Sequence, residues 1–185
     1  MDFITNLWLP ILVSGVAVWI ASFVFWMAIG HHNKDVQAIP NEKEFKETIN
    51  RLNIKPGNYG FPDFQSCKGM SKEEKMKVYD SRPMGLLRVW APVNMGVNML
   101  FTFLFYLVTS TVIAYLGWAA LPHTHDTFGH IMQVLGTAGV LAYCFASFPN
   151  DLWFQKAKRA MMMNLIDGVV FGLITGAIFA WLWPK

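Results

Sequence analysis

Asp167 is the most unusual acidic residue in the chain, because it lies inside a long apolar stretch near the C-terminus. A carboxylate within a bilayer is costly, so it usually faces protein or water and has a partner. Asn94 and Asn98 would lie at about the same depth on another apolar stretch. One interpretation is a polar cluster that binds a proton or another cation. The alternative is a structural carboxylate at a helix N-terminus, favoured by the macrodipole and free N–H groups.

A second group of polar residues falls in a short connection between two apolar stretches and comprises His123, His125, Asp126 and His130. Neutral imidazoles and a carboxylate are ligands for Zn²⁺ or Cu²⁺, so a metal site is one hypothesis. The spacing matches no closed structural zinc motif, and a short loop also carries histidine simply as a polar residue. We predict no other cofactor.

His31 and His32 follow the first apolar stretch directly. Adjacent residues of a helix point about 100° apart, so we interpret the pair as an interfacial anchor and not as two ligands of one ion. The sequence has no glycine-rich phosphate loop, no paired histidines with a catalytic glutamate on a helix and no Cys-x-x-Cys-His haem motif. We therefore predict that the protein is not an enzyme.

These residues are positioned by four stretches that are almost free of charge. Of the 185 residues, 54% are hydrophobic and 15% charged, against about 25% charged in soluble domains. The sequence predicts an all-α membrane protein with transmembrane helix 1 in residues 1–30, a loop over 31–92, and helices 2–4 within 93–185. Those three helices are predicted near 93–118, 131–148 and 165–183.

The distribution of Lys and Arg predicts the orientation of these helices. Segment 30–92 holds eleven and 149–163 holds three, whereas 119–130 holds none. Cytoplasmic loops retain basic residues, so 31–92 and 149–163 are expected in the cytoplasm and both termini outside. The basic residues are interleaved with acidic ones and accompany no nucleic-acid motif, so we predict no nucleic-acid partner. Cys67 and Cys144 are too few for a disulfide framework and are expected to be free thiols.

The loop of about 60 residues is expected to carry two short amphipathic helices against the membrane surface. Asn41 with Glu44 is typical of a helix start at which the asparagine oxygen caps free N–H groups. Ser71 with Glu74 predicts a capping box. The run 55–62, rich in proline and glycine, predicts turns between the two helices.

Small residues recur every four positions on two predicted spans. They are Gly168, Gly172, Gly176 and Ala180 on the fourth span, and Ala138, Ala142 and Ala146 on the third. Small residues let another helix approach closely in lipid. The pattern predicts helix packing, either within this chain or against a partner subunit.

Five motifs resemble those of a family of uncharacterised small bacterial four-helix membrane proteins. They are Gly30-His31-His32-Asn33-Lys34-Asp35, Ile39-Pro40-Asn41-Glu42, Pro56-Gly57-Asn58-Tyr59-Gly60-Phe61-Pro62, Asp167-Gly168 and the ending from Ala177 to Pro184. The family has no assigned activity. The resemblance implies a location in the bacterial inner membrane and nothing catalytic.

Three functional hypotheses follow. The first is a non-catalytic accessory subunit that packs against a larger respiratory or photosynthetic membrane complex, as the small-residue faces and missing catalytic motifs suggest. The second is a small ion or solute transport protein that uses Asp167. The third is a membrane protein that binds metal through the outer histidines. The lipid bilayer is the one partner common to all three.

Overall fold

A computed structural model gives the fold and describes residues 2–63, 65, 67–122 and 126–184. Its helices are α1 (Asp2–Phe23), α2 (Glu42–Arg51), α3 (Lys72–Asp80), α4 (Met95–Ala120), α5 (Phe128–Val140), α6 (Phe148–Trp153) and α7 (Lys158–Leu182). Two strands, β1 (Gly57–Phe61) and β2 (Gly85–Val89), pair antiparallel. The chain divides into two compact units, the first formed by 1–37 with 95–185 and the second by 38–94.

The first unit contains four helices long and apolar enough to cross a bilayer, which confirms the predicted all-α, multi-pass membrane fold. They span Asp2–Ile29, Met95–Ala120, Phe128–Trp153 and Lys158–Leu182, with 25 to 28 residues each. At about 1.5 Å per residue, each exceeds the ~30 Å of a hydrocarbon core. The last two helices are longer than predicted, because Pro149 begins α6 instead of ending the third span and because α7 includes the polar turn at Lys158.

α7 packs against α5 through its glycines. A Cβ added to Gly176 would lie 2.6 Å from the Cα of Gly136, and one added to Gly172 would lie 2.8 Å or less from atoms of Val140. Such distances leave no space for a side chain, so the backbones of the two helices are in contact. The predicted packing face of α7 is confirmed, and its partner lies within the same chain.

The predicted alanine face of the third span does not make this contact. Ala138 is half-buried, whereas Ala142 and Ala146 are exposed. The residues opposite the α7 glycines are Gly136, Gly139 and the backbone near Tyr143. Small residues at a helical period indicate faces that could pack against another helix. Glycine permits the closest approach of two backbones, so α5 is rotated to bring its glycines, and not its alanines, against α7.

The buried side chains of the bundle fall into two regions. We call the first the Trp183 half; its apolar core comprises Leu7, Ile11, Ile113, Ala114, Leu121, Ile131, Leu135, Phe179, Ala180 and Trp183. We call the second the Asp167 half; it contains a smaller apolar core of Val18, Tyr106 and Phe171, together with buried Ser22, His32 and Asp167. The four helices therefore differ along their length in what they enclose.

The second unit contains α2, α3 and the strand pair. The capping box of α3 is confirmed, since the Glu74 N–H donates to Ser71 Oγ at 3.2 Å and the Ser71 N–H donates to Glu74 Oε2 at 2.8 Å. α2 also forms, but Asn41 has φ 54° and its side-chain amide donates to the Glu44 carboxylate instead of capping the helix. Position 41 therefore works as a left-handed turn residue.

The prediction of turns over 55–62 is wrong. Gly57–Phe61 is strand β1, which pairs with β2 in the register Gly57 to Val89 and Phe61 to Gly85. Glycine and proline report local backbone preference, whereas this strand depends on a partner about 28 residues away in sequence. Both cysteines are free, as predicted.

Candidate functional site

Asp167 lies well inside α7 and is buried. The helix begins at Lys158, so nine residues precede Asp167, a distance of about 13 Å along the axis at ~1.5 Å per residue. Free N–H groups occur only in the first turn of a helix, where the macrodipole is also strongest. The interpretation of Asp167 as a carboxylate at a helix N-terminus is therefore wrong.

Two histidines contact the Asp167 carboxylate. His31 Nε2 lies 2.9 Å from Oδ1, and His32 Nε2 lies 2.9 Å from Oδ2. The side chains of His32 and Asp167 are only 3% and 6% exposed. Each carboxylate oxygen thus has its own imidazole, and the three side chains form one buried cluster.

Gly30 explains how two adjacent residues reach one carboxylate. The first span ends in a π-helical turn over Val24–Ile29, and Gly30 then adopts the left-handed conformation with φ 61°. His31–Lys34 forms a 3₁₀ turn, which brings the two imidazole rings to a centroid distance of 4.4 Å. Our interpretation of this pair as separate anchors assumed a continuous α-helix and is wrong.

Asp35 and Arg159 form an outer layer of the cluster. Asp35 Oδ2 lies 2.6 Å from His32 Nδ1, while Arg159 pairs with the other oxygen of Asp35 and donates from Nη2 to the His31 carbonyl at 2.7 Å. Burial raises the pKa of Asp35, but the hydrogen bond with His32 and the charge of Arg159 outweigh it, so this pKa lies below its ordinary value. Asp35 is therefore an ionised acceptor at neutral pH.

Aromatic rings enclose the two imidazoles. Trp26 stacks on His32 with a centroid distance of 4.0 Å and an interplanar angle of 14°. Phe25 meets His31 edge to face at 5.4 Å and stacks on Phe171. These contacts help to hold the ring planes in the orientation that points the imidazole nitrogens at the carboxylates.

The charges of the cluster do not balance if both imidazoles are neutral. Two carboxylates, Asp35 and Asp167, then face the single guanidinium of Arg159. His32 also has a carboxylate oxygen at each ring nitrogen, and a neutral imidazole has one N–H for two such contacts. Buried charge is normally paired, so this arrangement favours an additional positive charge between the ring and a carboxylate.

The donor set suits a metal ion. His31, His32 and Asp167 each offer one ligand atom, and these atoms lie within 4.8 Å of one another. Among the residues that the structure describes, this is the one group of three or more such side chains with that spacing. Two imidazoles and a carboxylate are ligands for divalent first-row transition metals.

A cleft of about 190 Å³ has Asp167 among its lining residues. Trp26, Tyr106, Tyr143 and Asn164 also line it. Open space thus lies beside Asp167, although its side chain is only 6% exposed.

The predicted cluster of Asp167 with Asn94 and Asn98 does not describe this site. Within the described residues, the hydrogen bonds of the Asp167 side chain go to the two histidines. Asn98 is exposed and lines an apolar groove between α1 and α4, and Asn94 is an exposed residue of segment 38–94. Depth along the membrane can be read from the sequence, but the side of the helix that a residue occupies cannot.

The other predicted metal site is described only in part. Asp126 accepts from the Thr127 N–H at 2.7 Å, and His130 Nδ1 lies 2.9 Å from each Asp126 oxygen. This pair lies at the start of α5, where Thr127 Oγ1 accepts from the His130 N–H. His123 and His125 lie outside the described residues, so a site of three histidines stays a prediction.

Two features of the sequence indicate this site when they are considered together. His31-His32 follows a glycine at the end of a span, and Asp167 lies at the matching depth of another span. Asp35 and Arg159 also carry opposite charges at that boundary.

Comparisons with protein-family models, with curated proteins and with solved structures gave no match.

Proposed function

We propose that this protein is a small cation-transport protein whose binding site is formed by His31, His32 and Asp167. The observation that carries the proposal is His32, a buried imidazole with a carboxylate oxygen at each ring nitrogen. Asp167, the carboxylate at one of these nitrogens, lies inside a membrane span, where a buried ionisable group usually marks an ion or proton pathway. Here a cation between the ring and the carboxylate would offset the negative charge that two carboxylates and one guanidinium leave.

Polar groups deeper in the bundle support a path that continues from the site. The Tyr143 hydroxyl is buried and lies near the side chains of Thr175 and Ser110. Ser110 Oγ in turn lies 3.2 Å from Ser14 Oγ, and both serines are buried. Neighbouring buried hydroxyls suit an ordered water molecule or a hydrated ion.

The accessory-subunit hypothesis has less support. It was motivated by the small-residue faces, and the α7 glycines make their contacts with α5 of the same chain. The exposed apolar side chains of α4, such as Phe101 and Val108, fit lipid as well as they fit a partner. No described feature of the bundle requires a larger complex.

Flux measurements in proteoliposomes test the proposal. Wild type and Asp167→Asn are reconstituted and assayed with dyes for Na⁺, K⁺, Ca²⁺ and Zn²⁺. Asp151→Asn is a matched control, because Asp151 is also a buried carboxylate and is paired with Lys156. We expect one of these cations to enter with wild type and the control but not with Asp167→Asn.

Circular dichroism and gel filtration must show that all three proteins are folded and assembled alike. If no cation in the series shows a flux that depends on Asp167, the transport proposal is wrong.

A further inference from the structure

The geometry points to a divalent transition metal as the cation, bound by His31 Nε2, His32 Nε2 and an oxygen of Asp167, with Zn²⁺ as the representative ion. This inference rests on the proposed function, because it names the substrate class of the same site. It adds the three metal ligands, a carboxylate that orients one of them, and a tryptophan whose fluorescence reports metal binding.

The ligand atoms of the cluster are close enough to surround one metal ion. Each Nε2 lies 2.9 Å from a different Asp167 oxygen, and the ligand atoms of the three residues lie within 4.8 Å of one another. Tetrahedral Zn²⁺ with bonds of about 2.0–2.1 Å separates neighbouring ligand atoms by roughly 3.3 Å, which lies between these two distances. Three ligands leave the fourth position for water or another ligand.

The chemistry of the ligands favours a transition metal over an alkali or alkaline-earth ion. Two of the three ligand atoms are imidazole nitrogens, which suit Zn²⁺, Fe²⁺, Co²⁺ and Ni²⁺. Mg²⁺ and Ca²⁺ take oxygen ligands, and Ca²⁺ takes six to eight of them. The three proposed ligands offer those ions only one carboxylate, together with two imidazole nitrogens that do not suit them.

Asp35 is placed as the carboxylate behind a metal-binding histidine. Its Oδ2 lies 2.6 Å from His32 Nδ1, the nitrogen that faces away from Asp167. A histidine that binds metal through one nitrogen usually donates its other N–H to a carboxylate or carbonyl, which fixes the tautomer and orients the ring. Arg159 in turn pairs with Asp35 and with the His31 carbonyl. Asp35 is therefore a positioning residue, and the three ligands are His31, His32 and Asp167.

The stack of Trp26 on His32 provides the reporter. The two ring centroids lie 4.0 Å apart, so a paramagnetic ion on His32 would quench Trp26 fluorescence. Co²⁺ is the probe of choice, because it replaces Zn²⁺ in nitrogen and oxygen sites and its visible absorption depends on coordination geometry.

The experiment is a Co²⁺ titration of the full-length protein in nanodiscs, followed by visible absorption and tryptophan fluorescence. We expect wild type to bind one Co²⁺ per chain, and Trp26→Phe to bind it equally well with less quenching. His31→Ala, His32→Ala and Asp167→Asn should each lose the absorption band. Asp151→Asn, which removes a buried carboxylate that is paired with Lys156 and belongs to neither candidate metal site, should leave the titration unchanged.

Asp35→Asn tests whether Asp35 orients the His32 ring or binds the metal itself. It should keep the wild-type absorption band but bind Co²⁺ about 10–100-fold more weakly, as expected when a carboxylate behind a metal ligand is lost. Asp35→Glu should recover part of the affinity. If Asp35→Asn removes the band altogether, Asp35 is itself a ligand and the assignment of its role is wrong.

The titration and the flux assay fail in different ways. If wild type binds no Co²⁺, or binds it equally well after His32→Ala, the metal assignment is overturned, while flux of another cation through Asp167 would keep the transport proposal. If Co²⁺ binds as described but no cation flux depends on Asp167, the metal site stands and the transport proposal is overturned.

Discussion

The two halves of the helix bundle are made by the same four helices but enclose different chemistry. In the Trp183 half, ten apolar side chains form one buried core. In the Asp167 half, the apolar core has three residues, and a cluster of two histidines, two carboxylates and an arginine lies beside it. The Trp183 half has the composition of a structural core, and the Asp167 half has that of a binding site.

The contrast teaches how this chain divides stability from function. Dry apolar contacts hold helices together in lipid through packing alone, and they respond to changes in volume. Buried polar groups contribute less net stability, and they respond to changes in charge. Substitutions in the Trp183 half should therefore lower stability without changing metal binding, and substitutions in the Asp167 half should do the reverse.

The largest effect on stability is expected for Phe179→Ala. Phe179 is fully buried in the core of the Trp183 half, and the truncation leaves a cavity that costs about 3–5 kcal/mol. Thermal unfolding in nanodiscs measures the loss. Phe101→Ala is the matched control, because Phe101 is 65% exposed on α4. Equal losses for both variants would contradict the packed core, and a change in Co²⁺ affinity for Phe179→Ala would contradict the division between the halves.

A smaller loss is expected for Gly176→Ala, which places a methyl group against the backbone of α5. The added Cβ would lie 2.6 Å from the Cα of Gly136, so the helices must separate, at a cost of about 1–2 kcal/mol. Gly129→Ala is the control, because a Cβ there meets no atom of another residue within 4 Å. Chemical denaturation of both variants compares the two positions, and a stable Gly176→Ala protein would show that α5 and α7 do not touch there.

The smallest change in stability is expected for Asp167→Asn, although it should remove metal binding. The amide keeps the size of the side chain and removes the unbalanced negative charge, so the free energy of unfolding should change by less than about 1 kcal/mol. The same thermal unfolding assay, without added metal, measures it. A loss as large as that of Phe179→Ala would mean that the cluster holds the fold together, and the contrast between the halves would be wrong.

The membrane fold could be predicted from the sequence because the relevant signal is compositional. Long charge-free stretches mark the spans, and the small residues of α7 mark a packing face. The limits of the spans were less accurate. Pro149 suggested an end where the structure begins α6, and the charged start of α7 fell outside a purely apolar window.

The candidate site could be predicted only in part, because it depends on one backbone conformation. Asp167 stood out by its position, but its partners depend on the left-handed turn at Gly30. That turn brings His31 and His32 together and directs both at α7. The rotation of each helix, which exposes Asn98 and buries Asp167, also depends on packing between distant segments. Gly30 is a local signal for the turn, but the rotation of each helix leaves no local pattern in the sequence.

X-ray absorption at the zinc edge of the Zn²⁺-loaded protein tests the central claim most directly, because it reports the atoms bound to the ion. We predict a first shell of nitrogen and oxygen at about 2.0–2.1 Å with the outer scattering of two imidazole rings, and its loss in Asp167→Asn. A sulfur shell at about 2.3 Å, an absence of imidazole scattering, or an identical spectrum from Asp167→Asn would contradict the assignment of His31, His32 and Asp167 as the metal site.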